Sequence, residues 1–184
     1  MKTALYIGKP FGIRVTVHWT FFILIAYVIY INIKNGSSAG EMIESVLFVL
    51  TIFACVILHE LGHSLAARRY GIITSGITLL PIGGVANLTR IPEEPQKELF
   101  VAIAGPLINL IIALILILIL LVSGFDFSML YSTHYLDRAA FLPALLIVNV
   151  MLFLFNLVPA FPMDGGRLLR AGLGFRFSRL QATR

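Results

Sequence analysis

Apolar positions along this chain gather into four long runs instead of alternating with polar ones: 17–33, 44–67, 99–122 and 138–158. Each is long enough, or nearly so, for a helix to cross a hydrocarbon core of about 30 Å. His18 and Trp19 open the first run as interfacial anchors. The stretch LIIALILILILLV in the third is the most apolar of all. Between the second and third runs the pattern changes. Residues 71–91, GIITSGITLLPIGGVANLTRI, are rich in β-branched side chains and carry Pro81 and the pair Gly83–Gly84 in their middle. That pattern predicts two short strands around a turn. The segment is too apolar for a solvated loop and too broken for a helix, so the hairpin is placed at or in the cytoplasmic membrane face, where protein or water must cover its backbone. TALYI and IRVTV, ahead of the first run, can add one or two strands. The predicted fold is a mainly α membrane protein. It is a multi-span helical bundle with a short membrane-associated β-hairpin or small sheet on its cytoplasmic side, forming one domain over 1–184.

Composition supports this class. The chain is 59% hydrophobic and 12% charged, with mean hydropathy +0.95, whereas a soluble domain is about 25% charged. Too few polar residues exist to cover a water-facing surface. The net charge of +5 follows topology. Twelve of the 14 Lys and Arg residues fall in the N-terminal lead, the connection between runs two and three, and the C-terminal tail; only Lys34 and Arg138 fall on the other side. The positive-inside bias then puts the N-terminus and the C-terminal tail in the cytoplasm. These charges read as headgroup contacts with the lipid bilayer, not as a nucleic-acid surface. The single Cys55 cannot form an internal disulfide, and the lead resembles no cleavable signal.

The second run contains His59-Glu60-Leu61-Gly62-His63, an H-E-x-x-H pattern. On a helix, positions four apart share a face, so both imidazoles can bind one metal. Glu60 is offset by one residue and can act as general base on a water that Zn²⁺ brings to a pKa of about 7. Ionisable residues inside a span cost about 2.5–3.5 kcal/mol each on insertion scales, which marks them as functional. His59 precedes Arg68 by nine residues, placing the metal roughly 13 Å inside the cytoplasmic boundary at ~1.5 Å per residue.

Catalytic zinc usually has three protein ligands. His18 begins the first run and His134 falls in the non-cytoplasmic loop, as do Asp126 and Asp137. Asp164 lies on the same side as His59 and His63, after Pro159 and Pro162 and before Gly165–Gly166. Proline prevents a regular helix there and the glycine pair allows a tight turn. Asp164 can therefore point back into the bundle, or cap a following helix.

H-E-L-G-H in an apolar helix, a strand hairpin, A-G-P-L-I-N and N-x-x-P-x-x-P-x-D-G-G together resemble the site-2 protease family of intramembrane zinc metalloproteases. The resemblance runs from the GIRVTVHW lead to the DGG turn. It implies one zinc held by His59, His63 and Asp164, with Glu60 activating water. It also implies that Asn156, and Asn109 with Gly105 and Pro106, shape the site and meet substrate or oxyanion; packing between helices is the competing role. The expected substrate is a single-span membrane protein that must unwind before hydrolysis, and the expected location is the inner membrane of a prokaryotic cell. The edge beginning at Gly83 and Gly84 is a candidate to hold an extended substrate by strand addition. Relatives with these patterns usually continue past RLQATR, so 167–184 reads as a helix cut short and the chain as a C-terminal truncation of a longer one. A metal-binding transporter, or a catalytically silent membrane scaffold, is the rival reading. It lacks a sequence repeat in its favour and leaves Glu60 unexplained.

Overall fold

The computed structural model describes residues 4–90, 92, 94–128 and 141–176. His134, Asp137, Arg138 and the tail from 177 onward, including Arg179 and Arg184, lie outside the described residues, as do Lys2 and Ile91.

The chain opens with strand β1 (Ala4–Gly8), a single 3-10 turn at Pro10–Gly12 and strand β2 (Val15–His18). Helices α1 (Thr20–Lys34) and α2 (Ala39–Arg68) follow, then β3 (Thr74–Leu80) and β4 (Gly83–Leu88), then α3 (Pro95–Val122), α4 (Phe141–Leu157) and α5 (Asp164–Leu173). The four strands form one sheet in the order β1-β2-β3-β4. The outer pairs are antiparallel, while β2 and β3 run parallel, Val15 opposite Ile77 and Val17 opposite Leu79. The fold is thus mainly helical with a small mixed sheet.

Val17 and His18 belong to β2, not to the first helix as the apolar run predicts. Val15 and Val17 are buried and Thr16 is not, the period of two that a half-buried strand requires. The turn from strand to helix is tied by His18, whose Nδ1 accepts the Thr20 N–H at 3.4 Å. Helix α2 starts earlier than its apolar run because Ser38 and Glu41 close a reciprocal capping box, with Ser38 N donating to Glu41 Oε2 at 2.7 Å. Pro95 occupies the first turn of α3, where its missing N–H leaves no intrahelical bond unmade.

By length and composition, α2 (30 residues) and α3 (28 residues) can each cross a membrane. Helices α1 (15 residues) and α4 (17 residues) are apolar but shorter.

The sheet lies over the second half of α2. Alternate β3 residues Ile77 and Leu79 are buried; Ile77 packs with Ile13 and Leu61, and Leu79 with Val17, Phe21 and Phe53. The Phe21 and Phe53 rings meet edge to face, 4.7 Å between centroids. A separate cluster joins α2, α3 and α4 through Cys55, Ala113, Leu116, Leu120, Leu145 and Leu146. Helix α5 is clamped to the start of α3 by Arg170, which donates to Glu98 Oε1 through Nε at 3.0 Å and also through Nη2. Between them these contacts bring β4, α2, α3 and the first turn of α5 to one place.

Candidate active site

Helix α2 presents His59 and His63 one turn apart on the face turned toward α3 and α5. Asp164, the first residue of α5, meets them. His59 Nε2 lies 3.1 Å from Asp164 Oδ2, His63 Nε2 lies 3.0 Å from the same oxygen, and the two Nε2 atoms are 3.0 Å apart. All three residues are buried. They form the group of potential metal-donor side chains among the described residues.

The outer ring nitrogens say what this triangle can hold. His63 Nδ1 lies 2.7 Å from the Val101 carbonyl, which can only accept, so Nδ1 carries the proton. His59 Nδ1 lies 3.2 Å from Asn109 Oδ1, again an acceptor. Each ring turns its Nε2 inward, toward a carboxylate oxygen. Two imidazole nitrogens and a carboxylate oxygen gathered within 3.1 Å of one another are a set that a single cation satisfies. A triangle with edges of 3.0–3.1 Å has a circumradius of about 1.8 Å, below the ~2.0–2.1 Å zinc–nitrogen bond length. The three donors are therefore close enough together to hold one ion between them. Two nitrogens and one oxygen are donors that suit zinc, and the N–H···O bonds behind the rings orient them as ligating histidines require.

Two glycines permit this packing. The His63 ring lies against the backbone of Gly105, where an added Cβ would be 2.5 Å from Cε1 and 2.6 Å from Cδ2. Gly84, near the start of β4, crosses directly over Glu60, and a Cβ there would be 2.8 Å from Glu60 Cγ. The Gly83–Gly84 pair does not form the hairpin turn: Leu80 pairs with Gly83, and Pro81 and Ile82 make the loop. Gly165–Gly166 are likewise helical, in the first turn of α5, and not a tight turn before it. Met163 is the N-cap and no side chain caps this helix, so the Asp164 carboxylate is directed to the histidines and not to the α5 backbone.

The three donors and Glu60 open into a cavity of about 510 Å³. Gly83, Gly84 and Ala86 of β4 form one wall; Leu152, Phe155 and Asn156 of α4 with Pro162 and Met163 form another. Of the residues predicted for the site, His59, Glu60, His63, Asp164, Asn156, Gly83 and Gly84 all reach this cavity. Asn156 commits one N–H to the Leu152 carbonyl at 2.9 Å. Asn109 also lines the cavity, but it is 1% exposed and its Oδ1 lies against His59 Nδ1.

Sequence reading missed three features. Arg167 lines the cavity, though it was counted among the charges that set topology; its spacing of three from Asp164 was the signal, since that spacing returns to one helix face. The buried Glu98–Arg170 pair was visible only as an acid at the head of an apolar run. Gly105 was named among the residues that shape the site, but that it seats the His63 ring left no local trace. A second groove of about 550 Å³ between α3 and α4 is wholly apolar and holds no titratable side chain.

A family model described as Peptidase family M50 matches residues 47–141. The zinc metalloprotease MJ0392 of Methanocaldococcus jannaschii is 40% identical over 184 residues, all of this chain and 50% of that protein. The putative zinc metalloprotease sll0528 of Synechocystis is 32% identical over 177 residues, covering 93% of this chain and 44% of that protein. The chain thus spans about half the length of the curated relatives it matches. A solved site-2 protease from Methanocaldococcus jannaschii superposes with a TM-score of 0.67 at 39% identity, covering 97% of this chain and 76% of that one.

Proposed function

The chain belongs to peptidase family M50, the site-2 protease family of zinc metalloproteases, and from that membership we propose that it hydrolyses peptide bonds within or near the spans of membrane proteins. His59, His63 and Asp164 hold one zinc ion in this reading, and Glu60 is the general base. The observation that carries it is the convergence of three potential metal-donor atoms within 3.1 Å beside a carboxylate that faces the same cavity.

Zinc, when bound, supplies Lewis acidity: it polarises a carbonyl and brings a water's pKa to about 7. The residues of the chain do the rest. Glu60 takes the proton of the attacking water and later returns it to the leaving amine. Asn156 keeps one N–H for a substrate carbonyl. The outer edge of β4, the last strand of the sheet, receives an extended segment by strand addition. A helical substrate has no free backbone groups to offer such an edge, so it must unwind first.

We further infer that α1, α2, α3 and α4 all cross the inner membrane of a prokaryotic cell, with both ends of the chain cytoplasmic. The Lys and Arg distribution supports the orientation. Outward-facing Phe22, Tyr27, Leu107, Leu114 and Leu118 support contact with lipid. A helix of 15 residues rises only about 22 Å, so α1 needs its interfacial neighbours or local bilayer thinning to span.

The test is reconstitution of the purified protein in liposomes with a reporter single-span protein. Cleavage that stops on chelation, returns with zinc and is absent in Glu60→Gln, with zinc still bound, is the expected result. Zinc crossing the bilayer without any cleavage would favour a transporter instead.

A further inference from the structure

The cavity that holds Glu60 and Asp164 has one guanidinium among its described lining residues, Arg167. It sits one turn after Asp164 in α5 and is half-buried. The other arginine of α5, Arg170, is consumed by its pair with Glu98. Arg167 has no hydrogen bond or ion pair to any described residue. It lines the same cavity as Glu60 without a salt bridge to it. A guanidinium drawn partly out of water, with no partner for its five N–H donors among the described residues, is costly to keep. Its planar donor fork suits a ligand that brings oxygen acceptors into the cavity.

Charge narrows the choice. With Glu60 and Asp164 ionised and one divalent cation present, the site sums to zero without Arg167 and to one positive charge with it. A second positive group on the cavity wall adds to the field that meets negative charge as it develops on a substrate, and more so in a cavity shielded from water. During attack the water oxygen bonds to the carbonyl carbon, its proton passes to Glu60, and the C=O π pair moves onto oxygen. When the C–N bond then breaks, that pair re-forms the carbonyl and the amine takes the proton back from Glu60. The carbonyl oxygen alone gains and then loses a full negative charge. Asn156 can meet it only with an uncharged N–H.

We propose that Arg167 is a catalytic residue that donates to the scissile carbonyl oxygen as it becomes an oxyanion. The proposal rests on the protease reading above. It deepens that reading by assigning the transition-state charge to a side chain of α5.

Arg167→Gln and Arg167→Lys, in the zinc-loaded protein, test it. Loss of one oxyanion donor lowers kcat by about 10²–10³-fold in other hydrolases. Arg167→Gln should lower kcat on the reconstituted reporter by roughly that factor, with KM changed little and zinc content equal to the parent. A readout apart from turnover uses two apolar probe peptides of one sequence. One carries an anionic phosphinate in place of an amide. The other is unmodified and is bound to the Glu60→Gln background so that it is not cut. Arg167→Gln should weaken the phosphinate by about the factor lost in kcat and leave the unmodified peptide unchanged; Arg167→Lys should recover part of both. A raised KM with kcat intact, unchanged phosphinate affinity, or loss of zinc would each overturn the assignment. If the parent protein neither cleaves the reporter nor binds the phosphinate, the protease reading itself fails and the proposal falls with it.

Discussion

Gly105→Ala should unseat a metal ligand without replacing any ionisable group. The added Cβ would lie 2.5 Å from His63 Cε1 and 2.6 Å from Cδ2. Carbon atoms in contact prefer about 3.5–4.0 Å, so the ring must retreat by roughly 1 Å. The ring cannot slide freely, because its Nδ1–H is held by Val101 O at 2.7 Å, a carbonyl on the same helix as Gly105. Metal–ligand distances tolerate about 0.2 Å. A 1 Å displacement therefore takes Nε2 out of bonding range. Changes to groups that merely orient a ligand lower metal affinity by about 10–100-fold, and displacing the ligand should exceed that. The matched control is Gly172→Ala in α5, where nothing lies within 4 Å of the new methyl. That change should bind zinc as the parent does and stabilise the helix by about 0.5–1 kcal/mol. The assay is competition with a chelator of known affinity in detergent, with the melting temperature of the metal-free proteins recorded in parallel. Parental zinc affinity in Gly105→Ala would refute the reasoning, since it would mean that the ring does not occupy the place described.

Three other outcomes are expected. Asp164→Ala should lose most of its zinc while Asp126→Ala keeps it, because Asp126 is exposed and occupied by the Ser128 N–H at 2.9 Å; equal metal content in the two would remove Asp164 as a ligand. Proline placed singly at Val85, Ala86 and Asn87 should impair cleavage at alternate positions, since successive N–H groups of an edge strand point to opposite sides, with zinc content unchanged; uniform loss of folding, or no loss of cleavage anywhere, would leave β4 a packing element. Arg170→Met should destabilise by about 3–5 kcal/mol by stranding the buried Glu98, and adding Glu98→Leu should recover most of it in detergent denaturation.

The chemistry of the site was more legible in the sequence than its support. His59, Glu60 and His63 are a local pattern, and helical periodicity alone puts the two imidazoles on one face. Asp164 was reachable because the prolines at 159 and 162 forbid a continuous helix and so turn the chain back. Both strands of the hairpin were visible in the β-branched composition of 71–91. TALYI and IRVTV were legible as strands able to join that hairpin; their order was not, because β2 pairs in parallel with β3 across some sixty residues and nothing local encodes such a partner. The same holds for α5. Its arginines look alike in the sequence, yet Arg170 is spent on Glu98 and Arg167 faces the cavity. That difference is set by how α5 docks on α3, a tertiary contact that no periodicity reports. The apolar run at 17–33 misled at its start, since Val17 suits a buried strand as well as a helix and only the alternation through Val15, Thr16 and Val17 separates the two.

The central claim is that His59, His63 and Asp164 jointly bind one zinc ion. X-ray absorption at the zinc edge of the purified, zinc-loaded Glu60→Gln protein tests it most directly, because that variant removes turnover and leaves the donors in place. The account expects one zinc per chain, two imidazole nitrogens and carboxylate oxygen in the first shell at about 2.0–2.2 Å, and loss of one imidazole shell on adding His63→Ala. A spectrum without imidazole scattering, or one unchanged by His63→Ala, would contradict it.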